Sequence, residues 1–174
     1  MSVRLLRASR VRFGLIALLL VFVASGIAPG LAQADTTHRY TSKLRTAPLV
    51  TGNGYPNVGG TALFAGSLNV RCRPSCGGGP GALIDRVTVT GQPQPNVFAF
   101  RGRERDFSVF GTLLSRFRGT TTLLADGSQQ VVTRGRFTGG TGRYRGASGR
   151  YRFSGTVPPG STVLTGRSRG TIVY

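Results

Sequence analysis

From residue 61 onward the chain alternates short β-branched or aromatic runs with Gly, Pro and Asp-Gly breaks. No apolar set recurs at spacings of three, four and seven for more than a turn, so helix signals are nearly absent. The pattern predicts strands over Thr61–Val70, Leu83–Thr90, Val97–Arg101, Phe107–Phe117, Thr120–Leu124, Gln129–Phe137, Ser148–Val157 and Thr162–Val173. Within them the side chains alternate. In Arg150-Tyr151-Arg152-Phe153 the rings fall on one face and the Arg pair on the other. Arg134-Gly135-Arg136-Phe137 and Arg116-Phe117-Arg118 behave alike. This is the period of two of a sheet with one wet and one dry face. Asp126-Gly127 is a hairpin signal. Pro158-Pro159-Gly160 marks a further turn, because Pro cannot donate to a ladder. Gly111 marks a bulge or bend. The prediction is an all-β fold: an eight-stranded antiparallel up-and-down β-barrel over 61–174, closed so that no edge is left exposed. A barrel of this size is filled by side chains or holds one small ligand.

Ahead of the barrel, residues 35–60 carry Pro48, Gly52, Gly54, Pro56, Gly59 and Gly60 and read as a flexible N-terminal arm, with a short strand near 38–45. Residues 1–34 have a different character. Arg4, Arg7, Arg10 and Arg12 precede the uncharged apolar run 13–24, and Leu31-Ala32-Gln33-Ala34 offers a small-x-small end. A basic start, a short apolar stretch and such an end form a signal peptide cleaved after Ala34, which places the protein outside the cell or on its surface. The rival reading is a membrane anchor over residues 13–31, although the apolar run is shorter than the roughly 20 residues a spanning helix needs. The Arg residues are not adjacent, so a twin-arginine signal is not supported. Removing 34 of the 174 residues leaves 140, the size of one domain.

Composition sharpens the picture. The chain has 23 Lys+Arg against 5 Asp+Glu, a net charge of +18, and Lys43 is its only Lys. Arg-x-Arg recurs at 71/73, 101/103/105, 116/118, 134/136, 143/145, 150/152 and 167/169. Residues i and i+2 of a strand point the same way, so many of these Arg stand together on the outside. They form either a solvated exterior in a chain that prefers Arg to Lys, or a surface for anionic wall or membrane polymers. Nucleic acid is not expected as a partner, because an exported protein rarely meets it and aromatic RNA-binding signatures are missing. A single His, His38, leaves no room for a His-rich metal site or a His-based triad, and no cofactor is implied.

The two cysteines, Cys72 and Cys76, flank Arg73-Pro74-Ser75, a turn that would bring the sulfurs together. In an oxidising compartment such a pair forms a disulfide. The closed loop is small, so the chain-entropy model gives the staple about 2 kcal/mol. A redox pair would favour Cys-x-x-Cys, and a zinc site would need two further ligands.

Residues 135–155 read GRFTGGTGRYRGASGRYRFSG. Gly140-Thr141-Gly142 is not a nucleotide loop, since no helix pattern and no Lys-Ser/Thr follow it. The segment instead resembles the signature of the allene oxide cyclase and dirigent barrel superfamily: a Gly-Gly-Ser/Thr-Gly turn, here Gly139, Gly140, Thr141 and Gly142, followed by an aromatic (Tyr144), a small residue (Ala147) and another Gly (Gly149). Phe107-Ser108-Val109-Phe110-Gly111 and Gly170-Thr171-Ile172-Val173-Tyr174 are similar to dirigent strands. The resemblance, of a bacterial-type secreted member, implies an eight-stranded barrel with a central cavity, often oligomeric. Dirigent members steer phenoxy-radical coupling with acids and Arg in that cavity. Here Arg145 takes one basic position and Ser148 stands where a second Arg is found.

On these residues the function divides. Phe98, Phe100, Phe117, Phe137, Tyr151 and Phe153 give an aromatic inner face that either fills the core or binds a small apolar or aromatic ligand without chemistry. A dirigent- or cyclase-type isomerase needs at least two ionisable side chains pointing inward. Among the acids, Asp126 reads as a turn residue. Glu104 and Asp106 lie among Arg101, Arg103 and Arg105 and read as surface ion pairs. That leaves Asp85 with Arg145 as the candidate catalytic pair. Non-catalytic ligand binding ranks above catalysis. The third reading is the Arg-covered surface protein.

Overall fold

The computed structural model describes residues 36–174 apart from Asn53, Ser75 and Cys76. The expected signal peptide, its cleavage site and the anchor alternative lie outside the described residues, as does Cys76 of the expected Cys72–Cys76 bridge. Cys72 itself is not a free thiol. No helix among the described residues is long and apolar enough to cross a membrane.

Eight strands follow one another around a closed antiparallel barrel: β1 (Thr37–Gly52), β2 (Thr61–Arg73), β3 (Gly79–Gln94), β4 (Val97–Ser108), β5 (Gly111–Leu123), β6 (Gln129–Gly140), β7 (Ser148–Val157) and β8 (Leu164–Val173). Each strand pairs with its sequence neighbours, and β1 closes the cylinder on β8. The alternation is strict on β6 and β7. Val131, Thr133, Gly135, Phe137, Tyr151, Phe153, Gly155 and Val157 are buried, while Arg134, Arg136, Arg150 and Arg152 are exposed. The turn chemistry follows the sequence too. Asp126 Oδ1 accepts from the Ser128 hydroxyl at 2.6 Å and from the Ser128 amide at 2.9 Å. Those bonds hold its carboxyl below the usual range. Ser161 N donates to Pro158 O across the last hairpin.

The eight strands are not the eight predicted from sequence. Residues 37–52, read as part of a flexible arm, form β1, which pairs with β2 from Arg39 to Gly52 and with β8 from Thr37 to Thr46. The barrel therefore begins near Thr37 rather than at 61. Its inward positions include the buried polar residues His38, Ser42 and Thr46 beside Tyr40. Polar inward residues hide the dry face from a hydrophobic count. Conversely, the two predicted strands Phe107–Phe117 and Thr120–Leu124 are replaced by one, β5, with the hairpin moved to Val109-Phe110. Gly119 lies inside β5, directly opposite the buried Phe100.

Glycine makes room for rings within this wall. A Cβ at Gly102 would overlap the Phe117 ring, and one at Gly135 would overlap the Tyr151 ring. Each of these glycines sits directly opposite its ring on the neighbouring strand. Large inward aromatics thus lie flat across the next strand instead of meeting another side chain.

One end of the barrel is plugged. A single 3-10 turn (Gly142–Tyr144) tucks Tyr144 inside, where its hydroxyl donates to Gly77 O. Thr141 N and Arg143 N bond Thr112 O and Phe110 O, and the Arg143 guanidinium lies 5.4 Å from the Phe110 ring centre. Gly142 needs its positive φ of 59° and the absence of a Cβ, which would strike Phe110 O. Tyr174 packs edge-on against Tyr144 and stacks on His38.

Candidate ligand cavity and its carboxyl floor

Toward the other end the barrel is hollow. A cavity of about 460 Å³ is walled by Leu44, Val87, Val89, Phe100, Phe117 and Val131, among others, and reaches the loop residues Tyr55, Pro56 and Ser161. Its volume falls within the range of roughly 300–1,000 Å³ typical of small-molecule sites. Going inward along each strand, the last residues to touch the cavity are Asp85 on β3, Glu104 on β4, Tyr151 on β7 and Ser168 on β8. Leu83, Asp106 and Leu113 lie beyond them and are buried. Asp85 and Glu104 are therefore the acidic part of a floor.

Strand register builds this floor. Asp85 stands directly opposite Glu104, and Glu104 directly opposite Ser115. Ser115 Oγ lies 2.8 Å from the Tyr151 hydroxyl. Asp106 is two residues from Glu104 on the same strand and so shares its face.

Among the described residues no cationic side chain lines the cavity. Burial and the neighbouring Glu104 push Asp85 well above the usual carboxyl range, and the hydrogen bond to Glu104 adds to the shift. Asp106 is raised well above it for the same reasons, with Asp85 contributing. Burial also raises Glu104, but hydrogen bonds from Asp85, Asp106 and Ser115 oppose the shift. Three carboxyls this close cannot all ionise. Asp85 and Asp106 are therefore held up more than Glu104, toward which both direct a hydrogen bond. One oxygen of each Asp, Oδ1, is buried without a hydrogen-bond partner. Burial, helped by the charge of Glu104, keeps Tyr151 protonated as a hydroxyl donor. Burial does the same for Tyr40, helped by its carboxyl neighbours Asp106 and Glu104.

The residues singled out from sequence are distributed as follows. Phe98, Phe100, Phe117, Tyr151 and Phe153 line the cavity. Phe137 is buried outside it, packed on Tyr40 at 4.9 Å and Tyr151 at 5.1 Å between ring centres. Gly139, Gly140, Thr141 and Gly142 lead into the plug, with Thr141 just ahead of the 3-10 turn. Asp85 faces inward, but Arg145 is exposed beyond that turn, so the two form no cavity pair. The reason is the glycine turn, which carries residues 142–146 across the end of the barrel instead of into it. Glu104 and Asp106 are not surface ion pairs. They point inward while Arg101, Arg103 and Arg105 point out. The missed signal was parity: positions 98, 100, 104 and 106 share one face, and the Arg residues occupy the other. The described residues contain no group of three or more His, Cys, Asp or Glu arranged to hold a metal ion.

The class defined here is a closed up-and-down barrel with a one-ended apolar cavity over a proton-sharing carboxyl floor. Among solved structures the chain is similar to the pterocarpan synthase dirigent protein GePTS1, with 12% identity over 80% of this chain and 86% of that one and a TM-score of 0.46. No protein-family model and no curated protein matches the sequence.

Proposed function

We propose that the barrel binds one small, mostly apolar or aromatic molecule whose hydrogen-bonding end rests on Asp85 and Glu104. The observation that carries this reading is the Asp85–Glu104 carboxyl pair, set opposite each other on the floor of a mostly apolar cavity. An unpartnered polar atom there costs about 1–3 kcal/mol, which a ligand hydroxyl donating to a carboxyl oxygen of the floor recovers on binding. The test is calorimetry with matched pairs of compounds, such as a phenol and its deoxy analogue. The phenol should bind, and the analogue should bind about tenfold or more weakly. Equal binding of the two, or no binding by any aromatic or terpenoid compound, overturns the proposal.

A second reading is acid–base isomerisation of the dirigent or cyclase kind in the same cavity. It is favoured by two carboxyls of unlike proton affinity on one floor: Asp85 holds a proton to give, and Glu104 is charged and able to accept one. Glu104→Gln should then lower turnover far more than it lowers ligand affinity, whereas unchanged turnover rejects the reading. We place the protein outside the cytoplasm on the strength of residues 1–34. N-terminal sequencing of the mature protein should begin at Asp35.

A further inference from the structure

The barrel exterior carries two unbroken rows of arginine. Register places Arg86, Arg103, Arg116, Arg136 and Arg150 side by side from β3 to β7. A second row, Arg101, Arg118, Arg134, Arg152 and Arg169, runs from β4 to β8. All ten are exposed. Adjacent strands lie about 4.8 Å apart, so like charges face one another along each row. Nothing on the wall neutralises them: among the described residues Asp85, Glu104 and Asp106 face inward and Asp126 sits in a turn. Beyond Arg169 the second row meets a surface groove of about 300 Å³ lined by Thr41, Lys43, Asn69, Arg71, Arg167 and Arg169. The short Thr41 stands between Arg169 on one side and Arg71 on the other, which makes the groove a basic dish.

We infer that these rows and the dish form a track for a flexible phosphodiester polymer without bases, of the poly(alditol phosphate) kind. Three observations select that partner. The rows extend over six of the eight strands, so a flat bilayer touching one side of a cylinder would reach only part of them, while a flexible chain can follow the curve. The cations are guanidinium groups, whose planar fork bonds phosphate oxygens in pairs. The outward neighbours of the rows on β5, β6 and β7 are Leu114, Thr120, Gln130, Val132, Thr138, Ser148 and Ser154, so no aromatic side chain there offers bases a stacking platform.

The test is binding of poly(glycerol phosphate) to the full barrel as NaCl rises from 50 to 200 mM. Each phosphate contact contributes about −0.7 to the slope of log K against log salt for a single strand, so engagement of five arginines gives about −3.5. A variant with Arg116, Arg118, Arg134 and Arg136 changed to Gln should lose most of that slope and at least tenfold in affinity. A control with Arg45, Arg73, Arg105 and Arg145 changed to Gln removes the same charge and should lose little. In the unaltered protein, bound polymer should protect the row arginines from phenylglyoxal and leave Arg45 and Arg145 reactive. Equal losses in the two variants, or uniform protection, reduce the effect to net charge and overturn the inference. Tighter binding to phosphatidylglycerol vesicles or to a single-stranded oligonucleotide of equal charge overturns it too.

Discussion

Asp106 shows how a residue's parity decides its chemistry. Flanked by Arg105, three residues from Arg103 and two from Glu104 along an alternating strand, it has cationic neighbours in sequence and carboxyl neighbours in space. Because folding raises its proton affinity and that of Asp85, the native state holds protons that the unfolded chain releases above about pH 4. Linkage then fixes the sign. The contribution of these groups to stability is complete below the unfolded value and is lost as pH climbs toward the raised folded values. The unfolding midpoint should therefore be higher at pH 5 than at pH 8. Asp106→Asn, which keeps a donor toward Glu104 without a titrating proton, should flatten that dependence in a thermal melt series. At Gly135 the question is space. Gly135→Ala drives a methyl into the Tyr151 ring and should cost about 1–3 kcal/mol in chemical denaturation, as overpacking does. In a Tyr151→Leu background the same change should cost clearly less, because the two sites share one contact.

At the scale of the element, β1 separates what composition suggests from what pairing achieves. Pro48 and the glycines after it resemble a linker, yet the strand bends past Pro48 with a register shift and still pairs with β2 out to Gly52. Its inward His38, Ser42 and Thr46 are polar, and His38 Nδ1 lies 2.9 Å from Pro74 O. Burial without hydrophobicity is invisible to a periodicity count, whereas on β7 the aromatic and Arg alternation is plain. Amide hydrogen exchange distinguishes an arm from a strand. The amides of 40–46 should exchange as slowly as those of 150–156, since both strands are laddered on two sides. Exchange of β1 in milliseconds would mean that the cylinder is open there. The cavity aromatics were legible because each strand carries its own inside and outside. The floor was not, because it is assembled from residues on four different strands, β3, β4, β7 and β8.

For the whole molecule, charge and hollowness dominate. Facing rows of arginine repel one another, and salt screens exposed charges with a Debye length of about 10 Å at 0.1 M. Raising NaCl from 0.05 to 0.5 M should raise the unfolding midpoint, against the small or opposite response of a protein held by surface ion pairs. A flat response would mean that the repulsion is already relieved by bound anions. The cavity should show no such dependence: its walls are mostly apolar and lie inside the barrel, so under the proposed reading affinity for a neutral phenol should change little over the same range.

The amino-acid order alone determined the local facts: strands that alternate arginine with rings, tight turns at Asp126-Gly127 and Pro158-Pro159-Gly160, and an all-β chain greasy on one face and cationic on the other. A strand's two faces follow from its backbone geometry, so they can be read without knowing its neighbours. The tertiary structure alone decided that residues 37–52 close the cylinder, that Asp85 meets Glu104 above Asp106, that Arg145 stays outside, and that scattered Arg-x-Arg pairs join into rows. All of these depend on register between strands. Register is set by hydrogen bonds and packing between segments far apart in the chain, so no single segment contains it.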